Sequence, residues 1–440
     1  MKSLFKIYIS CLALAGTLLA QAPAVPAAGW LPKGRVVWSM DFGEDQSPVL
    51  LSDTHAYVHL PLDGGRLQKL DLGTGKPIWA VASSEKALAK ISGLGPRLFL
   101  VTGDFELVCL DDASGRTLWT APLEAVSRGG ASFGNVMVLR SAIRAIQRVG
   151  DTVLVATYGT KLFKGRTGKV YALDADSGKL RWSFEAEDGV EQDPIEHEGR
   201  VYFGGVAAAY AVDLKTGAQI WKASLRSDNQ WSFLLRDGLV LVSSGHYASQ
   251  GSMSGGTLYA LDALTGQVRW KFDVSGPSRV RVDQGIVVGL EWSSFGGSRL
   301  TALKLETGTK LWEYKEKSAA APVVKDGRVI YVSKDNRIHL LDLQTGRLIK
   351  AHAAAGDFEM GALSPWSHYF GPLLLDGEVV QLSWAKKTDE TVFERLDVAG
   401  GTVAEVFRQK GRVHSILRLP GRLALYSKVG DRHFRVMVLE

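Results

Sequence analysis

Cysteine is almost absent from this chain of 440 residues, which contains only Cys11 and Cys109. Cys11 lies in an apolar N-terminal stretch, so Cys109 is the one cysteine left if that stretch is removed. An intramolecular disulfide is then impossible. No Cys-x-x-Cys spacing occurs, and no metal site is expected.

Long apolar runs and blocks of one charge are also missing from the body of the chain. After the first 20 or so residues, no segment is apolar for long enough to span a bilayer. The formal net charge is +6, and no run of Lys and Arg marks a nucleic-acid-binding surface. We therefore expect neither a transmembrane segment nor a nucleic-acid partner.

The N-terminus has the organisation of a secretory signal. Lys2 and Lys6 precede an apolar stretch from Ile7 to Leu19, and small residues follow. The predicted signal peptide covers residues 1–24, with a cleavage site between residues 20 and 28. Cys11 is not preceded by the small residues typical of a lipidated cysteine. The sequence thus predicts an exported protein, periplasmic or extracellular and not lipidated.

The chain contains eight variants of one motif, Asp-x-x-Thr/Ser-Gly, at the ends of strand-like segments. The copies begin at Asp71, Asp111, Asp174, Asp213, Asp262, Lys304, Asp342 and Asp397. In the first six copies a Trp follows four residues after the Gly. A period of about 40–50 residues, with several short strands in each unit, is typical of a propeller.

Each unit follows the same order of strands and turns, most clearly from residue 321 to 350. Strands alternate with Asp-Gly turns and with the repeated motif, in which Asp and Thr oxygens can accept backbone N–H groups. The Gly tolerates the positive φ that the reversal requires. The Trp would lie on the outermost strand and fill the gap to the adjacent blade.

The two ends of the chain predict how the ring closes. Residues 34–42 form one outer-type strand with no strands before it, and residues 413–439 contain three strands without a fourth. Joined, they would complete one blade and remove exposed sheet edges. We predict an all-β fold: a single closed β-propeller of four-stranded blades over residues 30–440, monomeric, with the last blade completed by the N-terminal strand. Eight complete units and this composite blade give nine blades, or eight if one degenerate unit does not form its own blade.

The repeats resemble those of the pyrroloquinoline-quinone-type propeller superfamily, whose tryptophan-docking motif is best seen at residues 171–182 and 259–270. The resemblance implies a propeller fold and includes both quinoprotein dehydrogenases and cofactor-free scaffolds. The dehydrogenases of this superfamily carry two adjacent cysteines beside the quinone and a calcium site. No Cys-Cys pair occurs here, so neither the quinone nor calcium is expected. The chain is more similar to the non-enzymatic outer-membrane assembly lipoprotein, apart from the missing lipidation site.

Long insertions fall on one face of the predicted propeller, where the second-to-third and blade-to-blade connections lie. They cover residues 122–142, 158–169, 243–256, 291–298, 352–372 and 384–391, and we expect them to be loops, with a flexible Gly-rich segment at Gly251–Gly256. Aromatic residues and histidines gather in them: His246, Tyr247, Trp292, Phe295, Trp366, His368, Tyr369 and Trp384. Such residues suit contact with a protein partner, although they could instead form small cores of the loops themselves.

The sequence therefore predicts an exported, non-catalytic scaffold that binds a protein partner in the cell envelope through its loop-rich face. A quinone- and calcium-dependent dehydrogenase, or a propeller that senses a small molecule or polysaccharide, are the alternatives. Arg144, Arg148, Arg279 and Arg281 fall in predicted innermost strands. There they would make the central channel basic and favour an anionic ligand, although a solvated channel without a ligand is the simpler interpretation.

Overall fold

The computed structural model describes most of the chain after residue 34. The described segments are residues 35–42, 49–51, 54–60, 65–82, 90–102, 105–124, 132–133, 136–137, 142–161, 165–227, 229–247, 253–276, 278–293, 297–315, 322–333, 337–354, 373–375, 378–385, 387–419, 422–429 and 433–440. The predicted signal peptide lies outside them.

Within these segments the chain forms nine four-stranded antiparallel sheets, which we number as blades in chain order. Blades 1 and 2 contain β2 (Val49–Leu51), β3 (His55–Leu60), β4 (Arg66–Asp71), β5 (Pro77–Ala82), and β6 (Lys90–Leu94), β7 (Arg97–Val101), β8 (Glu106–Asp111), β9 (Thr117–Pro122). A short hairpin, β10 (Ser132–Phe133) with β11 (Val136–Met137), follows blade 2. Blades 3 and 4 contain β12 (Ala142–Val149), β13 (Thr152–Lys161), β14 (Gly165–Asp174), β15 (Leu180–Ala186), and β16 (Ile195–His197), β17 (Arg200–Gly204), β18 (Ala208–Asp213), β19 (Gln219–Ser224).

The remaining blades follow the same order. Blades 5 and 6 contain β20 (Asn229–Arg236), β21 (Leu239–Tyr247), β22 (Met253–Asp262), β23 (Val268–Val274), and β24 (Ser278–Asp283), β25 (Ile286–Ser293), β26 (Gly297–Lys304), β27 (Lys310–Tyr314). Blades 7 and 8 contain β28 (Val323–Lys325), β29 (Arg328–Val332), β30 (Arg337–Asp342), β31 (Leu348–Ala353), and β32 (Leu373–Leu375), β33 (Glu378–Ala385), β34 (Glu390–Asp397), β35 (Thr402–Lys410). Blade 9 contains β36 (Arg412–Leu419), β37 (Arg422–Val429), β38 (His433–Leu439) and β1 (Val36–Phe42).

Blade 9 is the predicted composite of the two chain ends. β1 pairs antiparallel with β38, so that Asp41 lies opposite Arg435. Their side chains form a hydrogen-bonded ion pair, and Arg35 and Glu440 exchange backbone hydrogen bonds at the other end of the pairing. The N-terminal strand therefore supplies the outer edge of the last sheet, as predicted, and nine is the correct number of blades.

The ring is held by nine apolar clusters in the described part of the chain, one between each pair of neighbouring blades. The cluster between blades 9 and 1 packs Val58 and Leu70 against Val436 and Val438. Successive side chains of the second and third strands point alternately into the clusters on the two sides of the blade. Each sheet is therefore apolar on both faces. First strands of neighbouring blades also approach one another, as β20 does β24, which places them around the axis.

In blades 1–7 the repeated motif joins the blade to the one before it. In blade 5, Asp262 Oδ1 accepts from the backbone N–H and the hydroxyl of Thr265, each at 2.9 Å. Gly266 has φ +72°, and a Cβ there would lie 2.6 Å from the indole of Trp221 in blade 4. The Trp221 Nε1–H donates to the carbonyl of Ala263 at 2.9 Å. The positive φ and the docked indole together require glycine at this position.

The same indole-to-carbonyl bond occurs at seven of the nine blade junctions that the structure describes, at 2.5–3.2 Å. The donors are Trp38, Trp79, Trp119, Trp182, Trp221, Trp270 and Trp312. We call these contacts Trp clasps. Lys350 and Glu405 occupy the corresponding positions in blades 7 and 8, so both sides of blade 8 lack a clasp.

Candidate functional site

The two faces of the propeller differ in construction. On one face, which we call the turn face, the first and second strands are joined by two-residue turns such as Asp237-Gly238, with φ of +47° and +74°. Positive φ at both positions is the hallmark of a type I′ turn, which suits Gly at the second position. The Ala263 N–H, in the repeated motif of the same blade, donates to the Gly238 carbonyl. Both kinds of short turn are therefore hydrogen-bonded together on this face.

The opposite face, which we call the hairpin face, carries the second-to-third connections and the blade-to-blade connections. In blades 3, 5, 6 and 8 the second and third strands are 8–10 residues long, compared with 5–6 residues in blades 1, 2, 4 and 7. Four of the predicted loops are thus largely paired strands that lengthen the hairpins. Met253–Gly256 belongs to β22, so the prediction of a flexible loop over Gly251–Gly256 was wrong for those residues.

Three of the predicted contact residues lie on two neighbouring hairpins of this face. His246, half-buried, pairs with Gly255, and Tyr247 pairs with Met253 at the end of the blade 5 hairpin. Trp292 pairs with Ser298 near the end of the blade 6 hairpin. Because blades 5 and 6 are adjacent, the fold brings these three positions to one side of the hairpin face. Phe295, Trp366, His368 and Tyr369 lie outside the described residues.

Trp384 is also on this face but packs into the protein. Its ring joins the apolar cluster between blades 7 and 8, and its Nε1–H donates to Asp389 Oδ1 at 3.3 Å. The guanidinium of Arg412 lies over the ring, 5.5 Å from the centroid. At this position the alternative interpretation, an aromatic residue that forms a small local core, describes the structure.

Sequence reasoning missed a set of hydrogen-bonded acidic side chains at blade 4. They lie on the hairpin face, between the longer hairpins of blades 3 and 5. Asp188 accepts from the Ala207 N–H at 2.5 Å and from the Tyr210 hydroxyl at 3.0 Å. Glu191, largely buried, accepts from the Gln230 N–H at 3.0 Å. The Asp188 bonds hold the blade 3–4 connection against blade 4, and the Glu191 bond holds it against the first strand of blade 5. The acidic segment 185–193 was the only signal of this set in the sequence.

The described residues do not assemble a metal site. None of their groups of three or more His, Cys, Asp or Glu side chains has an arrangement that could hold an ion. His55 and His59 have His-x-x-x-His spacing, but both lie on β3, where four residues span roughly 13 Å. His352 lies on an outer strand and its Nε2 contacts the Gly401 carbonyl at 2.7 Å.

One serine–histidine contact invites a catalytic interpretation, and its geometry argues against one. His339 Nδ1 lies 2.9 Å from the Tyr331 hydroxyl, and its Nε2 lies 3.1 Å from Ser333 Oγ. Ser333 Oγ also donates to the Arg337 carbonyl at 3.1 Å, so its proton is not directed to the imidazole as a nucleophile would require. All three side chains are buried. The group is a hydrogen-bonded network inside blade 7.

The four arginines of the predicted channel lie on innermost strands, as expected. Arg144 and Arg148 are on β12, and Arg279 and Arg281 are on β24. Val280 is fully buried between blades 5 and 6, so the two arginines beside it project to the other side of the strand. Enclosure by the protein lowers the pKa of Arg281, and enclosure together with the charge of Arg281 lowers that of Arg279 to about 10. Both remain cationic at neutral pH.

The fold and the Trp clasps define a propeller of tryptophan-docking repeats of the pyrroloquinoline-quinone type. The model of the family described as outer membrane protein assembly factor BamB matches residues 27–164, 123–209 and 204–428. The chain belongs to this family. The predicted resemblance is thereby confirmed.

Individual relatives have different functions. The chain is 24% identical over 316 residues to the outer membrane protein assembly factor BamB of Nitrosomonas eutropha, which covers 68% of this chain and 59% of that protein. It is 27% identical over 310 residues to the serine/threonine-protein kinase AfsK of Streptomyces griseus, covering 64% of this chain and 33% of the kinase. The chain thus spans about three-fifths of the assembly factor and a third of the kinase.

A third relative is the quinohemoprotein alcohol dehydrogenase of Comamonas testosteroni, 26% identical over 231 residues, or 46% of this chain and 32% of the enzyme. The crystal structure of quinohemoprotein alcohol dehydrogenase from the same organism superposes with a TM-score of 0.51 at 12% identity, covering 92% of this chain and 76% of that chain. This likeness shows the fold alone. The described part of the chain contains no helix that could cross a membrane.

Proposed function

We propose that this chain is an exported, non-catalytic scaffold of the cell envelope that binds a protein partner through its hairpin face. The observation that carries the proposal is the one-sided elaboration of the propeller. Hairpins of blades 3, 5, 6 and 8 extend from one face, whereas tight hydrogen-bonded turns close the other. Insertions confined to one face of a repeat protein are typical of a binding surface.

The family supports a role in assembly. Its description names an outer membrane protein assembly factor, and an assembly factor of that name is among the relatives. We place the contact at the neighbouring hairpins of blades 5 and 6, where His246, Tyr247 and Trp292 lie. Paired strands present these positions on a rigid support, which limits the entropy lost on binding. We further propose that the propeller works as a monomer.

The proposal is tested by shortening the blade 5 hairpin. Replacing Tyr247–Ser254 by Asn-Gly would join His246 to Gly255 by a tight turn, which matches their existing pairing. We expect this variant to fold but to lose an envelope partner that co-purifies with the unaltered protein. The control is Lys215→Glu, an exposed change on the turn face, which should retain the partner. Retention of every partner by the shortened variant would contradict the proposed contact.

We propose that the scaffold acts without pyrroloquinoline quinone or calcium. The absence of adjacent cysteines from the sequence supports this proposal. The similarity to a dehydrogenase favours the opposite, a quinone-dependent enzyme. Incubation of the purified protein with the quinone and calcium distinguishes the two alternatives. We expect no bound chromophore after desalting and no dye reduction with alcohols. A stoichiometric chromophore with substrate-dependent dye reduction would contradict the scaffold proposal and identify an oxidoreductase.

A further inference from the structure

Positive charge is concentrated on the innermost strands. The first strands of the nine blades together contain nine Lys and Arg residues and two carboxylates, Glu196 and Asp283, a net charge of +7. The whole chain has a net charge of +6. The strands around the axis therefore carry an excess larger than that of the entire protein, and the rest of the chain is close to neutral.

This distribution matters because of where these strands lie. They approach their neighbours around the axis, so side chains that project inwards from them face a shared central volume. Arg236 and Lys325, at the ends of their strands, pair instead with Asp237 and Asp326 at the turn face. Walls of low dielectric constant concentrate the field of such charges and raise the local concentration of counter-ions.

Arg279 and Arg281 form the most suitable pair within this volume. They are two residues apart on β24, so their Cα atoms lie roughly 6–7 Å apart and both side chains project from the same side of the strand. Arg281 is solvent-accessible and Arg279 is half-buried, and protein atoms surround both guanidinium groups. Enclosure lowers the pKa of both, and the charge of Arg281 lowers that of Arg279 further. An anion between them would offset this destabilisation of the charged forms.

We propose that the central channel binds a small phosphate-bearing molecule at Arg279 and Arg281. A phosphate carries up to two negative charges and several acceptor oxygens on one compact group, so it can accept from both guanidinium groups at once. A carboxylate carries one charge and is a poorer match for the pair. The site lies apart from the hairpins of the proposed partner contact, and its occupancy is independent of that function.

The test is calorimetric titration of the full chain with pyrophosphate at low ionic strength. We expect saturable binding that weakens as salt is added, because the contact is electrostatic. The variants Arg281→Gln and Arg279→Gln/Arg281→Gln should each bind at least about tenfold more weakly, since each loses a charge-assisted hydrogen bond. Arg236→Gln is the matched control: Arg236 ends the neighbouring innermost strand at the turn face, and its removal should change affinity less than about twofold.

Citrate provides the second arm, because it has comparable charge on carboxylates alone. It should bind at least about tenfold more weakly than pyrophosphate. Thermal unfolding of each variant verifies that it is folded; Arg281→Gln alters a solvent-accessible side chain and should not affect the fold. Absence of pyrophosphate binding, or unchanged affinity in the double variant, would overturn the proposal. Equal binding of citrate would overturn the assignment to phosphate.

Discussion

Leu340 and Lys350 face each other across β30 and β31, at the position where blade 6 pairs Ala302 with Trp312. At the junction between blades 7 and 8, a leucine and a lysine thus stand at the positions of the alanine and the tryptophan of blade 6. Leu340 is 4% exposed and approaches Gly401 of blade 8, with the aliphatic stem of Lys350 beside it. The junction keeps apolar packing but has no indole-to-carbonyl bond.

Restoring the usual pair should strengthen this junction. Leu340→Ala together with Lys350→Trp recreates the arrangement of blade 6, and we expect the free energy of unfolding to rise by about 1–2 kcal/mol through aromatic burial and one hydrogen bond. Lys350→Trp alone should gain less, because Leu340 occupies part of the space. Urea denaturation of the three proteins measures the difference. A double variant less stable than the single one would show that the junction cannot accept an indole.

Removing an existing Trp clasp should lower the free energy of unfolding much more than a change at Lys350. Trp221 is 6% exposed and docks on Gly266, so Trp221→Ala should lower the free energy of unfolding by about 3–5 kcal/mol. Trp221→Phe keeps much of the ring but loses the bond to Ala263, and about 1 kcal/mol is expected from that loss. Lys350→Ala serves as the control and should change little. Equal losses in the Ala variants would contradict the role of the clasps.

The repeated turns should make the fold sensitive to acid. Hydrogen bonds from Arg269 and then from Thr265 lower the pKa of Asp262 to about 2. A carboxyl whose pKa is depressed in the folded protein stabilises it above the unfolded pKa of about 3.9, and this contribution is lost as the pH falls towards 2. The pKa is lowered in the same direction at Asp71, Asp111, Asp174, Asp213 and Asp342.

Asp262→Asn should therefore flatten the dependence of stability on pH between about 4 and 2. Thermal unfolding measured at several pH values in this range provides the comparison. The variant should be less stable than the unaltered protein at pH 6 and should approach it at pH 2. A constant difference across the range would mean that the carboxylate charge does not contribute.

Blade 8 should open more readily than the other blades, because neither of its junctions has a clasp. We expect backbone amides of β34 to exchange hydrogen faster than those of β18, the equivalent strand of blade 4, which Trp182 and Trp221 hold on its two sides. Hydrogen-exchange mass spectrometry measures both strands in one experiment. Equal protection would show that apolar packing alone sets the local stability.

Much of the fold was predictable because its signals are local. The Asp-x-x-Thr/Ser-Gly turn and its Trp identify each unit without knowledge of the rest of the chain, and the strand-like ends predicted closure. Lys350 at the position of the Trp was visible in the sequence, but its pairing with Leu340 was not, because the two residues meet only across neighbouring strands. The Gly-rich segment before Thr257 has little strand propensity, and Gly256 is a strand residue only because β21 and β23 pair with it on both sides.

The elaborated face was predictable in its position and only partly in its structure. The insertions that the structure largely describes, at residues 158–169, 243–256, 291–298 and 384–391, fall on one face, as the repeat order required. Trp384 could not be distinguished from an exposed contact residue, since its burial depends on Arg412 of the next blade. The charge of the channel was visible at Arg279 and Arg281, but its full extent depends on which strand of every blade is innermost.

Site-specific photo-crosslinking in intact cells tests most directly whether the hairpin face is the binding surface. A photoreactive residue would replace Tyr247 or Trp292 on the hairpin face, and Gln284 or Lys215 on the turn face. We predict that a discrete protein adduct forms from the first pair of positions and not from the second. Adducts only from the turn face, or the same adducts from both faces, would contradict the assignment of the hairpin face as the binding surface.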